Sequence, residues 1–97
     1  MKIEWLYEAQ NEFRDYLLYY RNNVGSKYAC HFSDKILAAV GQLAGVLRQD
    51  TLMGKHGFRA LFVEQYVCVY RIEENTVYIY HITDARKNYL YHIFGVE

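Results

Sequence analysis

Near Gly57 the apolar pattern of this chain changes period, and that change limits the folds open to it. Before Gly57, apolar residues recur at three- and four-residue steps, as they do along one face of a helix. After it, three segments at 58–63, 66–72 and 76–82 alternate in the manner of strands, the last two of them Tyr-rich, and Glu73-Glu74-Asn75 supplies a turn between those two. A chain that is helical first and then stranded belongs to the α+β class, with helices gathered on one face of a sheet.

The helical part divides in two. Ala9, Phe13, Tyr16, Leu17 and Tyr20 form one apolar face over about 7–21, with Glu8, Glu12 and Asp15 near the start, where negative charge suits the helix dipole. Asn22-Asn23-Val24-Gly25-Ser26 interrupts the pattern. Gly25 can take positive φ there, and Ser26 is placed to cap the next helix. Ala29, Phe32, Ile36, Val40, Leu43 and Leu47 mark a second helix over about 27–47. Gly41 and Gly45 inside it read as close approach to the first helix or as fraying near the end. A weak alternation at 2–6 predicts a short leading strand, and 48–57 reads as a loop.

In the middle strand Tyr66, Cys68 and Tyr70 share one face, and Val67, Val69 and Arg71 share the other. Both faces are largely apolar. One should lie on the helix pair, and the other needs cover from the C-terminal tail or from another chain. The order expected is β-α-α-β-β-β, with a mostly antiparallel sheet on an N-terminal helical hairpin, a short C-terminal helical turn, and a single domain over 1–97.

Net charge is zero, from eleven basic and eleven acidic side chains, so the basic excess that drives nonspecific nucleic-acid binding is absent. Eleven tyrosines can line a core with their hydroxyls at its edge, or cover a surface that meets a partner. Cys30 and Cys68 form no CxxC and no zinc spacing. Each reads as a reduced, buried small hydrophobe. The start, MKIEWLYEAQ, has no apolar h-region, and the apolar-leaning run at 36–47 is shorter than the roughly 20 residues of a membrane span. A cytoplasmic protein without membrane contact is expected, and no metal or other cofactor is called for.

The last third carries a resemblance. Gly57 and Arg59 lead the first late strand, Tyr66-x-x-x-Tyr70 lies in the next, and the stretch 79–82 follows. Arg86-Lys87-Asn88-Tyr89-Leu90 and Ile93-Phe94 close the chain. In this order the markers resemble the RelE/ParE superfamily of toxins from bacterial type II toxin–antitoxin modules, and the ending resembles that of plasmid-stabilisation toxins. The resemblance covers nearly the whole chain. It implies growth arrest, neutralised by a cognate antitoxin whose flexible segment wraps the toxin, in a hetero-oligomer or beside a homodimer.

The superfamily divides by target. One branch cuts mRNA in the ribosomal A site, where basic and phenolic side chains move protons and stabilise charge. The other inhibits DNA gyrase by protein contact and needs no catalytic constellation. In the nuclease branch a strand arginine commonly precedes the Val-Tyr pair that Val69-Tyr70 resembles, whereas Val67 holds that position here. A valine contacts no phosphate. With the neutral charge, this favours gyrase inhibition over RNA cleavage; a non-toxic interaction domain that retains the fold is the reading from another class.

If the chain is a nuclease, the resemblance assigns catalysis to Arg86, His92, Tyr89 and Tyr91. The guanidinium of Arg86 would contact a phosphate or an antitoxin carboxylate, and His92 has the intrinsic pKa for acid–base work. The competing readings are a structural bond from Arg86 to loop carbonyls or Asp84, and a tail pinned on the sheet by Tyr89 and Phe94. Lys55, Arg59, Arg71 and His81 are the residues assigned to substrate or partner contact. Each has a plain alternative as well. Lys55 can be a solvated loop lysine, Arg59 can pair with an acid and orient the sheet, and His81 can be a hydrogen-bonded sheet histidine.

Overall fold

A computed structural model describes residues 2–45, 52–53 and 57–85. Strand β1 (Lys2–Trp5) leads into helices α1 (Tyr7–Asn23) and α2 (Ser26–Gln42); the strands β2 (Leu52–Met53), β3 (Arg59–Val63), β4 (Tyr66–Glu73) and β5 (Thr76–Asp84) follow. The five strands form one sheet in the order β1-β5-β4-β3-β2. Only the β1–β5 pair is parallel. The α+β order expected from the change of period is therefore present, and the helical hairpin packs on one face of a mostly antiparallel sheet.

The turns follow from backbone geometry. Glu74 and Asn75 both have positive φ (48° and 63°) between the paired residues Glu73 and Thr76. That is the two-residue turn whose twist matches a hairpin. Between β3 and β4 only Glu64 is positive, at 54°, and the turn is again two residues long. Strand β2 was not anticipated within the loop at 48–57. Two residues are too few to show an alternation, and β2 owes its existence to pairing of Leu52 with Ala60 and of Met53 with Arg59.

Between the helices, the expected cap is corrected. Gly25, with φ 142° and ψ 159°, precedes α2 as its N-cap, and Ser26 is already the first helical residue; no side-chain bond caps the helix. That backbone region is essentially restricted to glycine. A Cβ at Gly25 would meet nothing within 4 Å, so the penalty for alanine there is conformational alone. Gly25→Ala is expected to destabilise the fold by about 1–3 kcal/mol in urea unfolding, with an unchanged m-value.

Gly41 also has no neighbour within 4 Å of an added Cβ, which removes the close-approach reading. It lies exposed one residue before the end of α2, earlier than the expected end at 47. Gly41→Ala should stabilise by roughly 0.5–1 kcal/mol, measured as a higher urea midpoint.

Phe32, Ile36 and Val40 from α2, with Leu43 just after its end, meet Leu61, Tyr66, Cys68, Tyr70, Val77, Ile79 and Ile82 from the sheet in the main core. Phe32 is its aromatic centre. Its ring lies 5.4 Å from Phe13, 5.2 Å from Tyr20, 5.9 Å from Tyr16 and 4.9 Å from Tyr66, centroid to centroid. On the opposite sheet face Ala60, Val67 and Val69 form a second buried cluster with Phe58, Tyr80 and Ala85 against it. The assignment of alternate β4 residues to two apolar faces thus holds. The tail expected over the second face lies outside the described residues. Cys68 is buried and free, as expected; Cys30 is free but exposed on α2, because it falls outside the face that carries Ala29, Phe32 and Ile36.

Candidate functional site

Strand lengths create the most distinctive local geometry. β1 has four residues and β5 has nine, and their parallel pairing ends with Trp5 opposite Ile79. Leu6 N–H still donates to the Ile79 carbonyl, and then the chain turns into α1. Beyond that point the outer edge of β5 has no strand neighbour among the described residues. Side chains of α1 take its place. Ile82 N–H donates to Glu12 Oε1 at 3.1 Å, and Asp84 N–H donates to Tyr16 Oη at 3.1 Å.

The match is geometric. Glu12 and Tyr16 are one helical turn apart, about 6 Å along α1, and two strand residues advance about 6.6 Å. Two buried edge donors are thereby satisfied without another strand. The switch of outward-facing residues to Ile82 and Asp84 follows from an irregularity in the β4–β5 ladder. There Val69 pairs with His81, and Tyr70 pairs with Ile79, leaving Tyr80 as the extra residue.

Glu12 also reaches His81, with Nδ1 at 3.2 Å from Oε1 and 3.4 Å from Oε2, while Glu8 Oε2 lies 4.0 Å away. Its expected role beside the helix N-terminus is therefore corrected. Only Glu8 lies in the first turn of α1, and Glu12 is tied to the sheet. Next to these bonds is an open groove of about 490 Å³, lined by Glu12, Asp15, Tyr16, Tyr19, Tyr20, Ile82 and Thr83.

Inward from the groove, phenols join into a network. Tyr20 and Tyr66 share a short hydroxyl–hydroxyl hydrogen bond, and Gln65 Nε2 lies 3.3 Å from Tyr66 Oη and 3.5 Å from Tyr28 Oη. Burial pushes both the Tyr20 and the Tyr66 phenol upward, and the bonds to Tyr20 and Tyr28 raise Tyr66 further. Both remain protonated at neutral pH, so they serve as hydrogen-bonding core residues and not as bases.

Burial likewise pushes the Cys68 thiol from its ordinary 9.0 up to about 12. Cys68, Tyr20 and Tyr66 all lose a proton to become charged, and folding raises the pH at which each does so. Their contribution to stability is complete below about pH 9 and declines at higher pH, the Cys68 part being lost as pH climbs towards 12. A thiol reagent at pH 8 should modify Cys30 quickly and Cys68 only on unfolding, and the urea midpoint should fall above pH 9. Rapid modification of both thiols would contradict the burial of Cys68.

The expected contact residues that are described, Arg59, Arg71 and His81, do not converge. Arg59 is half-buried opposite Tyr70, on the sheet face that meets the helices. The acid expected beside it is not found: no ion pair joins Arg59 to another described residue. Arg71 is on the other face, with Nη2 2.8 Å from Glu73 Oε1 and its guanidinium 5.4 Å from the Phe58 ring centre. His81 belongs to the α1 edge, in the hydrogen-bonded sheet role already described. Lys55, Arg86, Tyr89, Tyr91 and His92 lie outside the described residues. Val67 is fully buried in the second apolar cluster. Among the described residues, no group of three His, Cys, Asp or Glu side chains could hold a metal ion, and no helix is long and apolar enough to cross a membrane.

Asp15 and Tyr19 are groove residues that sequence reasoning did not single out. The signal was indirect: Glu12, Asp15, Tyr16, Tyr19 and Tyr20 share one stripe of α1, and the leading strand was expected to be shorter than the last.

A helical hairpin on a mixed sheet with this strand order defines a RelE/ParE-type toxin fold. A family model for the ParE toxin of the type II toxin–antitoxin system parDE matches residues 3–89, and the chain belongs to that family. A solved structure described as the chromosomal ParDE TA system from P. aeruginosa is similar in fold, with a TM-score of 0.72 and 21% identity over 87% of this chain and 95% of that one. No curated protein matches the chain.

Proposed function

We propose that this toxin arrests bacterial growth by binding DNA gyrase in the cytoplasm, as one toxin domain held inactive in a hetero-oligomer with a cognate antitoxin. The observation that carries the choice of target is Val67. The position where the nuclease branch would hold a phosphate-binding arginine is an aliphatic side chain with no exposed surface. Chemistry elsewhere in the fold points the same way. The Tyr20 and Tyr66 phenols are held protonated, and Arg59, Arg71 and His81 lie in three different places on the sheet. Inhibition by protein contact needs none of these groups to converge, whereas RNA cleavage needs a base, an acid and a cation around one phosphate.

The test is a supercoiling assay with purified gyrase and the purified chain. Dose-dependent loss of supercoiling, relieved by the protein encoded beside the toxin gene, is the expected result. Intact supercoiling together with cutting of ribosome-bound mRNA would replace this reading with the nuclease one. In that case Arg86→Ala or His92→Ala should abolish cutting without unfolding the chain.

A further inference from the structure

Helix α2 carries a surface of its own on the side away from the core. Lys27, Cys30, Asp34 and Leu37 recur at three- and four-residue steps, and all four are exposed. They form one stripe opposite the buried Ala29, Phe32, Ile36 and Val40. Leu37 is 49% exposed, and the exposed Ala38 and Gly41 beside it are small, so its side chain projects from the helix as a knob. At the other end of the stripe is an open hollow of about 500 Å³, lined by Val24, Gly25, Lys27, Tyr28 and His31. Val24, 61% exposed, and Tyr28 give the hollow apolar walls.

Leu37 lies ten residues from Lys27 along the helix, about 15 Å, so the knob cannot fill the hollow of its own chain. Two copies can exchange them. A twofold contact brings the same patch of both chains together and requires it to be self-complementary. When two α2 helices cross antiparallel about an axis between Cys30 and His31, residues whose numbers add to 61 face each other. Leu37 then meets the partner's Val24, and Lys27 meets the partner's Asp34. Symmetry repeats both pairs, so a single register joins apolar to apolar and cation to carboxylate twice over. An axis at Asp34 would instead set two carboxylates against each other.

We propose that the outer face of α2 is a homodimer interface, in which two copies cross at Cys30 and each seats its Leu37 in the Val24–Tyr28 hollow of the other. The proposal depends on neither the target nor the antitoxin. Helices in contact run with axes 8–10 Å apart, which places the two Cys30 Cα atoms roughly 4–6 Å from each other, a span that a disulfide bridges. One helix on one helix is a small interface, so the dimer should dissociate on the order of 10–100 μM.

The experiment is sedimentation equilibrium of the purified full chain under reducing conditions, paired with oxidation by diamide, which takes two hydrogens from two thiols. A monomer–dimer equilibrium is expected, together with a cross-linked dimer that Cys30→Ser abolishes. Leu37→Glu should weaken association at least tenfold. Lys27→Asp and Asp34→Lys should each weaken it about three- to tenfold, and the double variant should return to within about threefold of the parent, because the reversed charges pair again. Phe62→Ser, which alters an exposed ring on the sheet, should leave it unchanged. A chain that stays monomeric at several hundred micromolar and forms no Cys30 cross-link would overturn the proposal. Association lost in Phe62→Ser but kept in Leu37→Glu would move the interface to the sheet and overturn it equally. Losses that add in the double charge variant would reject this register.

Discussion

Phe32→Ala is expected to lower the stability of the fold by about 3–5 kcal/mol, the range for removing a buried phenylalanine. Phe32 is 2% exposed, and its ring joins both helices to the sheet through Phe13, Tyr16, Tyr20 and Tyr66. Alanine leaves a cavity that four other rings cannot close without breaking their own edge and stacking contacts. Domains of this length have about 5–15 kcal/mol in total, so the variant should be partly unfolded at 37 °C. Phe32→Leu fills more of the space and should lose only about 1–1.5 kcal/mol. Urea unfolding checks both. A loss below about 1 kcal/mol for Phe32→Ala would show that the aromatic cluster does not hold the hairpin on the sheet.

The second large effect concerns Glu12. Glu12→Ala removes the acceptor for a buried backbone N–H and the partner of His81, and an expected loss of about 2–3 kcal/mol follows from an unsatisfied donor. Glu12→Gln keeps an amide oxygen for Ile82 and should lose only about 1 kcal/mol. Amide hydrogen exchange separates this account from a general loosening. Exchange at Ile82 should quicken in Glu12→Ala, and exchange at Asp84 should quicken in Tyr16→Phe, with β4 amides unchanged in both. Uniform acceleration across the sheet would mean that the two side chains do not act as substitutes for a strand.

Glu12 and Phe32 also mark the boundary of what was legible in the sequence. Phe32 is visible because its role follows from period alone: it recurs with Ala29, Ile36 and Val40 on one face of α2. The alternation of Tyr66, Cys68 and Tyr70 against Val67 and Val69 is equally local and places both sheet faces correctly. The role of Glu12 is not local. It depends on β1 ending before β5 and on the ladder shift near Tyr80, neither of which leaves a periodic trace. Ser26 satisfied a propensity rule for caps, but Gly25 took the position because the backbone there requires a φ of 142°. Cys30 was assigned to the core by residue type, although its helical position is on the outer face.

For the site, sequence order placed Arg59, Arg71 and His81 within one late segment, and the sheet then separated them. Alternation put Arg59 and Arg71 on opposite faces, and the strand-length mismatch gave His81 to α1. Chemistry-bearing residue types were recognisable one at a time; their convergence depends on register.

The central claim, that the toxin acts on gyrase and not on ribosome-bound mRNA, is tested most directly by pulse labelling minutes after induction in bacteria lacking the antitoxin. Thymidine incorporation should fall first, with methionine incorporation following later. A fall in methionine incorporation while thymidine incorporation continues would contradict the claim, and would mean that RNA chemistry is supplied despite the buried valine at position 67.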